Sequence, residues 1–177
     1  MVRKLKPHEQ KLLKRVDFVN WEGHNVKEIA IMRKYNISRK EYAEYNKLTR
    51  EIRVLTDKIN SLPEGDPFRL TMSSQLTEQL YSAGLIKTRR LRKGKEISLK
   101  AFCRRRLPVF MVQSGMFNGP ISIATRYVQH GHVRIGPHTV TDPAFLVTRT
   151  HEDLLTWTSS FKKKIDSYNN ERDDFID

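Results

Sequence analysis

Three arginines in a row, Arg104, Arg105 and Arg106, stand directly before Leu107-Pro108-Val109. A guanidinium is planar, permanently charged and able to grip two phosphate oxygens at once. The first turn of a helix adds unpaired amides with partial positive charge, where a phosphate also settles. Pro108 suits such a start, since it donates no amide and fixes the entry angle. Further on, Gln129-His130-Gly131-His132-Val133-Arg134-Ile135 supplies a second polar set. Val133 and Ile135 alternate with His132 and Arg134, so a strand here turns its apolar pair inward and its polar pair outward. His130 and His132 can donate hydrogen bonds or stack on a base, and Gln129 can reach a ribose hydroxyl. Together these types suit a ribose-phosphate chain gripped through shape, phosphate and the 2′-hydroxyl.

The charge of the whole chain agrees. It has 177 residues, with 33 Lys and Arg against 20 Asp and Glu, a net charge of +13. Such a field draws polyanions, and nucleic acid is the commonest inside cells. The charge is uneven: Lys87 to Arg106 is crowded with Lys and Arg and holds Glu96 as its one acidic residue. The end of the chain is acidic, with Asp166, Glu171, Asp173, Asp174 and Asp177. A charge run also serves as a solvated face or a nuclear import signal; the arginine triplet is set apart by the helix start after it.

Other chemistries find little support. The apolar run Pro108 to Val112 is too short to span a bilayer, and no basic amphipathic segment favours a membrane surface. The charged opening residues predict no signal peptide, and the single cysteine, Cys103, predicts a reducing compartment. His130, His132, His138, His151 and Cys103 make a poor zinc set. Cys103 has no acidic orienter or nucleophile motif around it. No glycine-rich loop ends in Gly-Lys-Ser/Thr, and no pair of carboxylates sits in an apolar setting. The expectation is a non-enzyme without cofactor, metal or small-molecule substrate.

The elements that must position these residues are α+β. Pro7 opens a helix with Leu12, Leu13 and Val16 behind it, and Asn25 with Glu28 opens another. Ser38 with Glu41 forms a capping-box pattern ahead of Tyr42, Tyr45, Ile52, Leu55, Ile59 and Leu62, one stripe on a long helix ended by Pro63 and Gly65. Asp66-Pro67 starts a further helix that stops at Gly84. The spacing then predicts a short helix over Pro108 to Met116, another from Gly119-Pro120 to Gly131, and strands at Val133–Ile135, Thr139–Thr141 and Phe145–Thr148. Trp157 and Phe161 fall on a final helix. The expected organisation is a helical region 1–86, a basic linker 87–103, a helix-helix-three-strand module 104–165 and an acidic tail 166–177.

At Arg105-Arg106-Leu107 with Gly115, and at His130-Gly131-His132-Val133-Arg134, the chain resembles the alpha-L RNA-binding module first named from ribosomal small-subunit protein four. Several further stretches point to one family. They are the opening Met-Val-Arg-Lys-Leu-Lys, Cys103 to Val109, Gly131 to Pro137, Asp142 to Arg149 and the Asp-Asp-Phe ending. With them the chain is similar to the family of U3 small nucleolar ribonucleoprotein subunits that carry this module. The resemblance implies an RNA-binding factor of the nucleolar small-subunit processome. It would bind U3 small nucleolar RNA and help it pair with pre-ribosomal RNA in early 18S processing. It also implies other U3 particle proteins as partners, among them the M-phase phosphoprotein ten scaffold.

The RNA-binding set on this reading is Arg104, Arg105, Arg106, Ser122, Arg126, Gln129, His130, His132 and Arg134. Two departures from the family pattern shift weight toward the arginines. The second helix opens with Gly119-Pro120-Ile121-Ser122, where relatives often carry several basic residues, and the hairpin turn is Gly136-Pro137-His138 in place of Asn-Gly-Lys. Three other readings compete: a protein-interaction scaffold whose helical half docks a partner, a small-subunit ribosomal protein, and an accessory domain of an RNA-modifying enzyme. The first hundred residues are too basic and too helical for such a catalytic domain.

Overall fold

The computed structural model of the chain describes residues 3–15 and 26–162. The expected Asn25 cap and the acidic tail lie outside the described residues.

Helix α1 spans Pro7–Arg15 and α2 spans Val26–Tyr35. Helix α3, Arg39–Asn60, begins with the capping box expected from the sequence. The Ser38 amide donates to the Glu41 carboxylate at 2.7 Å, and the Glu41 amide donates to Ser38 Oγ at 3.3 Å. Helix α4, Pro67–Ser82, starts where the Phe68 amide donates to Asp66 Oδ1 at 2.9 Å. It ends in a Schellman closure: Gly84 takes φ +72°, and the Leu85 amide donates back to the Leu80 carbonyl at 3.0 Å. A side chain at that φ is strained, so the glycine is what allows the stop.

The stretch expected as a basic linker is folded. It holds α5, Arg92–Lys95, and most of α6, Leu99–Arg105. Ile97, Leu99, Phe102 and Cys103 are buried with Tyr35, Tyr45, Ile59, Leu76 and Leu80 in one apolar core. The charge run hides a core-forming pattern, because the cations occupy the outer positions of these short helices.

Helices α7, Leu107–Gln113, and α8, Ile121–Gln129, pack on each other and then on a small sheet. Gly131 closes α8 as Gly84 closes α4, with φ +70° and the His132 amide donating to the Tyr127 carbonyl at 3.0 Å. Strands β1, Val133–Ile135, and β2, His138–Thr139, form a hairpin at the expected place, with β2 beginning at His138 and ending at Thr139 where Thr139–Thr141 was expected. The third strand differs from expectation. It is β3, Leu155–Trp157, antiparallel to β1, giving the order β2-β1-β3. Phe145 to Thr148 crosses the α6–α7 junction instead. There the Leu107 amide donates to the Phe145 carbonyl at 2.9 Å and the Val147 amide to the Arg105 carbonyl at 2.7 Å. A short apolar run reads the same whether it joins a ladder or a buried crossing. Trp157 thus belongs to a strand, after the short α9, Arg149–Glu152; Phe161 sits in the helical turn that follows. Leu107, Met111, Val128, Val133 and Val147 form the second, fully buried core.

Candidate nucleic-acid interface

The arginine triplet divides sharply. Along α6 the buried residues Leu99, Phe102 and Cys103 recur at helical spacing, and the next position on that face is Arg106. Arg106 is only 2% exposed. Its Nη1 donates to Glu41 Oε1 at 2.7 Å and lies 3.4 Å from the Tyr45 hydroxyl. Arg105 is half-buried: its Nε donates to the Val147 carbonyl at 2.7 Å, its Nη2 reaches the same oxygen, and its Nη1 pairs with Glu152 at 2.7 Å. Both were expected to grip phosphate. The structure corrects this, because a guanidinium taken out of water needs a counter-charge and acceptors, and both residues have found theirs inside the protein. The Leu99/Phe102/Cys103/Arg106 spacing is the sequence signal that could have shown it for Arg106. Arg104 faces the other way, one turn after Lys100, and both are exposed.

Burial alone would raise the Glu41 carboxyl's pKa. The hydrogen bonds from the Ser38 amide and the Arg106 guanidinium outweigh it and hold the carboxyl below its ordinary range. The helix cap and the buried ion pair therefore share one carboxylate.

Helix α8 carries most of the remaining candidates on a single face. Ala124, Thr125 and Val128 are buried, whereas Ser122, Arg126, Gln129 and His130 are exposed at positions spaced by one or two helical turns. Asn36, itself at φ +49°, donates from Nδ2 to Thr125 Oγ1 at 3.2 Å and so ties this helix to the end of α2. On β1 the core takes Val133 and Ile135 and leaves Arg134 on the opposite face. Its Nε donates to Thr156 Oγ1 on β3 at 3.1 Å, which fixes the direction of its guanidinium.

His132 does not stand alone beside Arg134. Its ring stacks on Phe161 at 4.3 Å and 9°, with His130 at 6.0 Å and Tyr127 at 6.0 Å. Phe117 and Trp157 meet Tyr127 edge-on at 5.4 and 6.0 Å. The sequence gives no hint of this ring group, because its members come from distant positions that only the fold assembles. His130 forms its exposed edge.

Two clefts flank Arg104. One, of about 460 Å³, is lined by Lys34, Tyr35, Gln113 and Ile121, so it brings a cation from α2 and the start of α8 beside Arg104. The other, of about 480 Å³, is lined by Lys87, Lys93 and Ser98. Lys34 had no place in the sequence reading; only the packing of α2 on α6 brings it here. Several other cations of the basic stretch are paired: Arg89 with Glu78 at 3.1 Å, Lys93 with Glu96 at 2.7 Å and Lys95 with Asp57 at 2.6 Å. All three pairs are exposed and therefore weak, so a polyanion can compete for them.

The structure thus gathers Ser122, Arg126, Gln129 and His130 on one helix face, with His132 and Arg134 just beyond its end, and sets Arg104 in a cleft that reaches the same helix's start. It leaves Arg105 and Arg106 inside. Among the described residues no three His, Cys, Asp or Glu side chains are grouped to hold a metal ion, and no helix is long and apolar enough to cross a membrane.

Residues 4–104 match the ribosomal protein S4/S9 N-terminal domain, and residues 105–153 match the S4 domain. The U3 small nucleolar ribonucleoprotein protein IMP3 of Mus musculus is 49% identical, over 99% of this chain and 98% of its own length. The protein of that name from Saccharomyces cerevisiae is 44% identical over the same shares. The small ribosomal subunit protein uS4 of Sulfurisphaera tokodaii is 29% identical over 77% of the chain and 78% of its own length. These relatives are ribonucleoprotein and ribosomal proteins. With an S4 domain carrying the exposed face of α8, and relatives matched from end to end, the chain belongs to the U3 small nucleolar ribonucleoprotein protein IMP3 family.

Proposed function

We propose that the chain is a nucleolar RNA-binding assembly factor of the small-subunit processome, which binds U3 small nucleolar RNA and promotes its pairing with pre-ribosomal RNA for early 18S processing. The observation that supports this is the exposed α8 face, Ser122, Arg126, Gln129 and His130, with Arg134 on the strand that follows and Arg104 beside Lys34 in a cleft that reaches Ile121 at the start of the same helix. Its cations neutralise phosphate, its amide and hydroxyl can meet the 2′-hydroxyl, and no stretch of it demands a particular base. A surface that neutralises both strands without reading either lowers the repulsion between them, which is what annealing requires. Membership of the U3 particle family supports U3 RNA as the substrate and other particle proteins as partners. We assign the M-phase phosphoprotein ten scaffold to that partner set.

The test follows hybridisation of U3 and precursor RNA fragments with the purified chain. Wild-type protein should accelerate duplex formation. The double change Arg126→Glu with Arg134→Glu should remove the acceleration and weaken RNA binding at least tenfold, with melting temperature nearly unchanged. Unaltered annealing in that variant, or none with wild type, rejects the proposal.

A further inference from the structure

Helix α4 is unlike the rest of this basic chain: between Pro67 and Ser82 only Arg69 and Glu78 are charged. Arg69 is turned inward, its Nη1 donating to the Leu62 carbonyl at 2.7 Å. Helix α4 itself supplies few cations, and among the described residues nothing covers its outer face. Phe68 is 58% exposed and Leu55, across from it on α3, 46%. Between the two helices runs a groove of about 400 Å³, lined by Leu55, Ile59, Leu62, Phe68, Met72 and Leu76. A second depression of about 530 Å³ continues along α3, sharing Leu55 and Lys58 and adding Val54, Lys47 and Arg50. Contiguous exposed apolar surface of this kind marks an interaction site. The rim supplies the sign of the partner: Lys47, Arg50 and Lys58 stand along it, with Glu51 opposing, 3.9 Å from Lys47.

We propose that the α3–α4 groove docks an amphipathic helix of a partner protein, with apolar anchors seated between Leu55 and Phe68 and Asp or Glu flanks meeting Lys47, Arg50 and Lys58. The shape is that of helix-in-groove recognition, and the charge rim sets orientation and partner choice. The proposal rests on the chain working inside a multiprotein particle but not on which RNA it binds. None of the groove residues lies in the S4 domain, 105–153.

The experiment places a photoreactive amino acid at Gln75, on the groove wall, in the full chain expressed in cells, and identifies the cross-linked residues in the purified U3 particle. The expected product is a protein segment with apolar residues at i, i+3 or i+4 and i+7 and acidic flanks. A synthetic peptide of that segment should bind the purified full chain. Leu55→Asp should weaken this binding at least tenfold, and Lys58→Glu several-fold at low salt. Binding of U3 RNA, read in the same preparations, should be unchanged, so failure here is distinct from failure of the RNA reading. Leu55 is exposed, so its variant should melt like wild type; if it does not, Lys58→Glu and the salt dependence decide. Cross-links to RNA, to residues 163–177, to a second copy of the chain or to nothing overturn the proposal, as does peptide binding indifferent to both substitutions.

Discussion

Arg106 and Arg104 are two residues apart and predict opposite phenotypes. Removing Arg106 leaves the Glu41 carboxylate without its buried partner, so Arg106→Ala should cost about 3 kcal/mol in urea unfolding. Arg104→Ala, at an exposed position, should stay within about 0.5 kcal/mol while weakening RNA binding. The pair also sets an acid limit. Glu41 titrates lower in the folded chain than its ordinary 4.5, so its stabilisation is complete above that value and fades as pH falls through the lower folded one. Glu41→Gln should therefore melt well below wild type at pH 6, with the gap closing towards pH 3. Cys103 points the other way: burial pushes its thiol up to about 11, so alkylation at pH 8 should be slow until the chain unfolds.

Among the elements, the local signals were legible and the distant ones were not. Ser38 with Glu41, Asp66 with Pro67, and the stops at Gly84 and Gly131 act within a few residues, and the structure shows each as expected. The buried face of α8 is likewise local, with Ala124, Thr125 and Val128 recurring at helical spacing. Two things were hidden. The crossing at 145–148 and strand β3 depend on which distant backbone is available to pair, and apolar spacing does not say. The core residues of 87–103 were masked by the cations between them. That stretch carries a sharp constraint: α5 lies so close to α3 that a Cβ at Gly94 would sit 2.6 Å from Thr56 Oγ1. Thr56 is fully buried and donates to the Ile52 carbonyl at 2.8 Å, so it cannot move aside. Gly94→Ala should cost about 1–3 kcal/mol, measurable by thermal or urea unfolding.

For the whole molecule, the +13 charge and the surface cations make salt the decisive variable. If about six phosphates are neutralised, log affinity for RNA should fall against log salt with a slope of roughly −4 to −5. Arg126→Ala should make that slope shallower by about 1. A wild-type slope near −1 would show that phosphate contacts do not dominate. Among the described residues several arginines besides Arg69, meanwhile, work inside the chain. Arg53 donates to the Ile97 carbonyl at 3.0 and 2.6 Å, and Arg149 to the carbonyls of Tyr81 and Ile86 at 2.8 and 3.0 Å. Arg105 holds Val147 and Glu152, and Arg106 holds Glu41.

Two of these bolts, at Arg106 and Arg149, have their heads in the S4 domain and their sockets in the N-terminal helices. The S4 domain therefore does not travel as an independent cassette. Transplanted onto another protein, it would lose the Glu41 and Tyr45 partners of Arg106 and the Tyr81 and Ile86 carbonyls that hold Arg149, so a chimera that moves those partners with it should melt higher than one that does not.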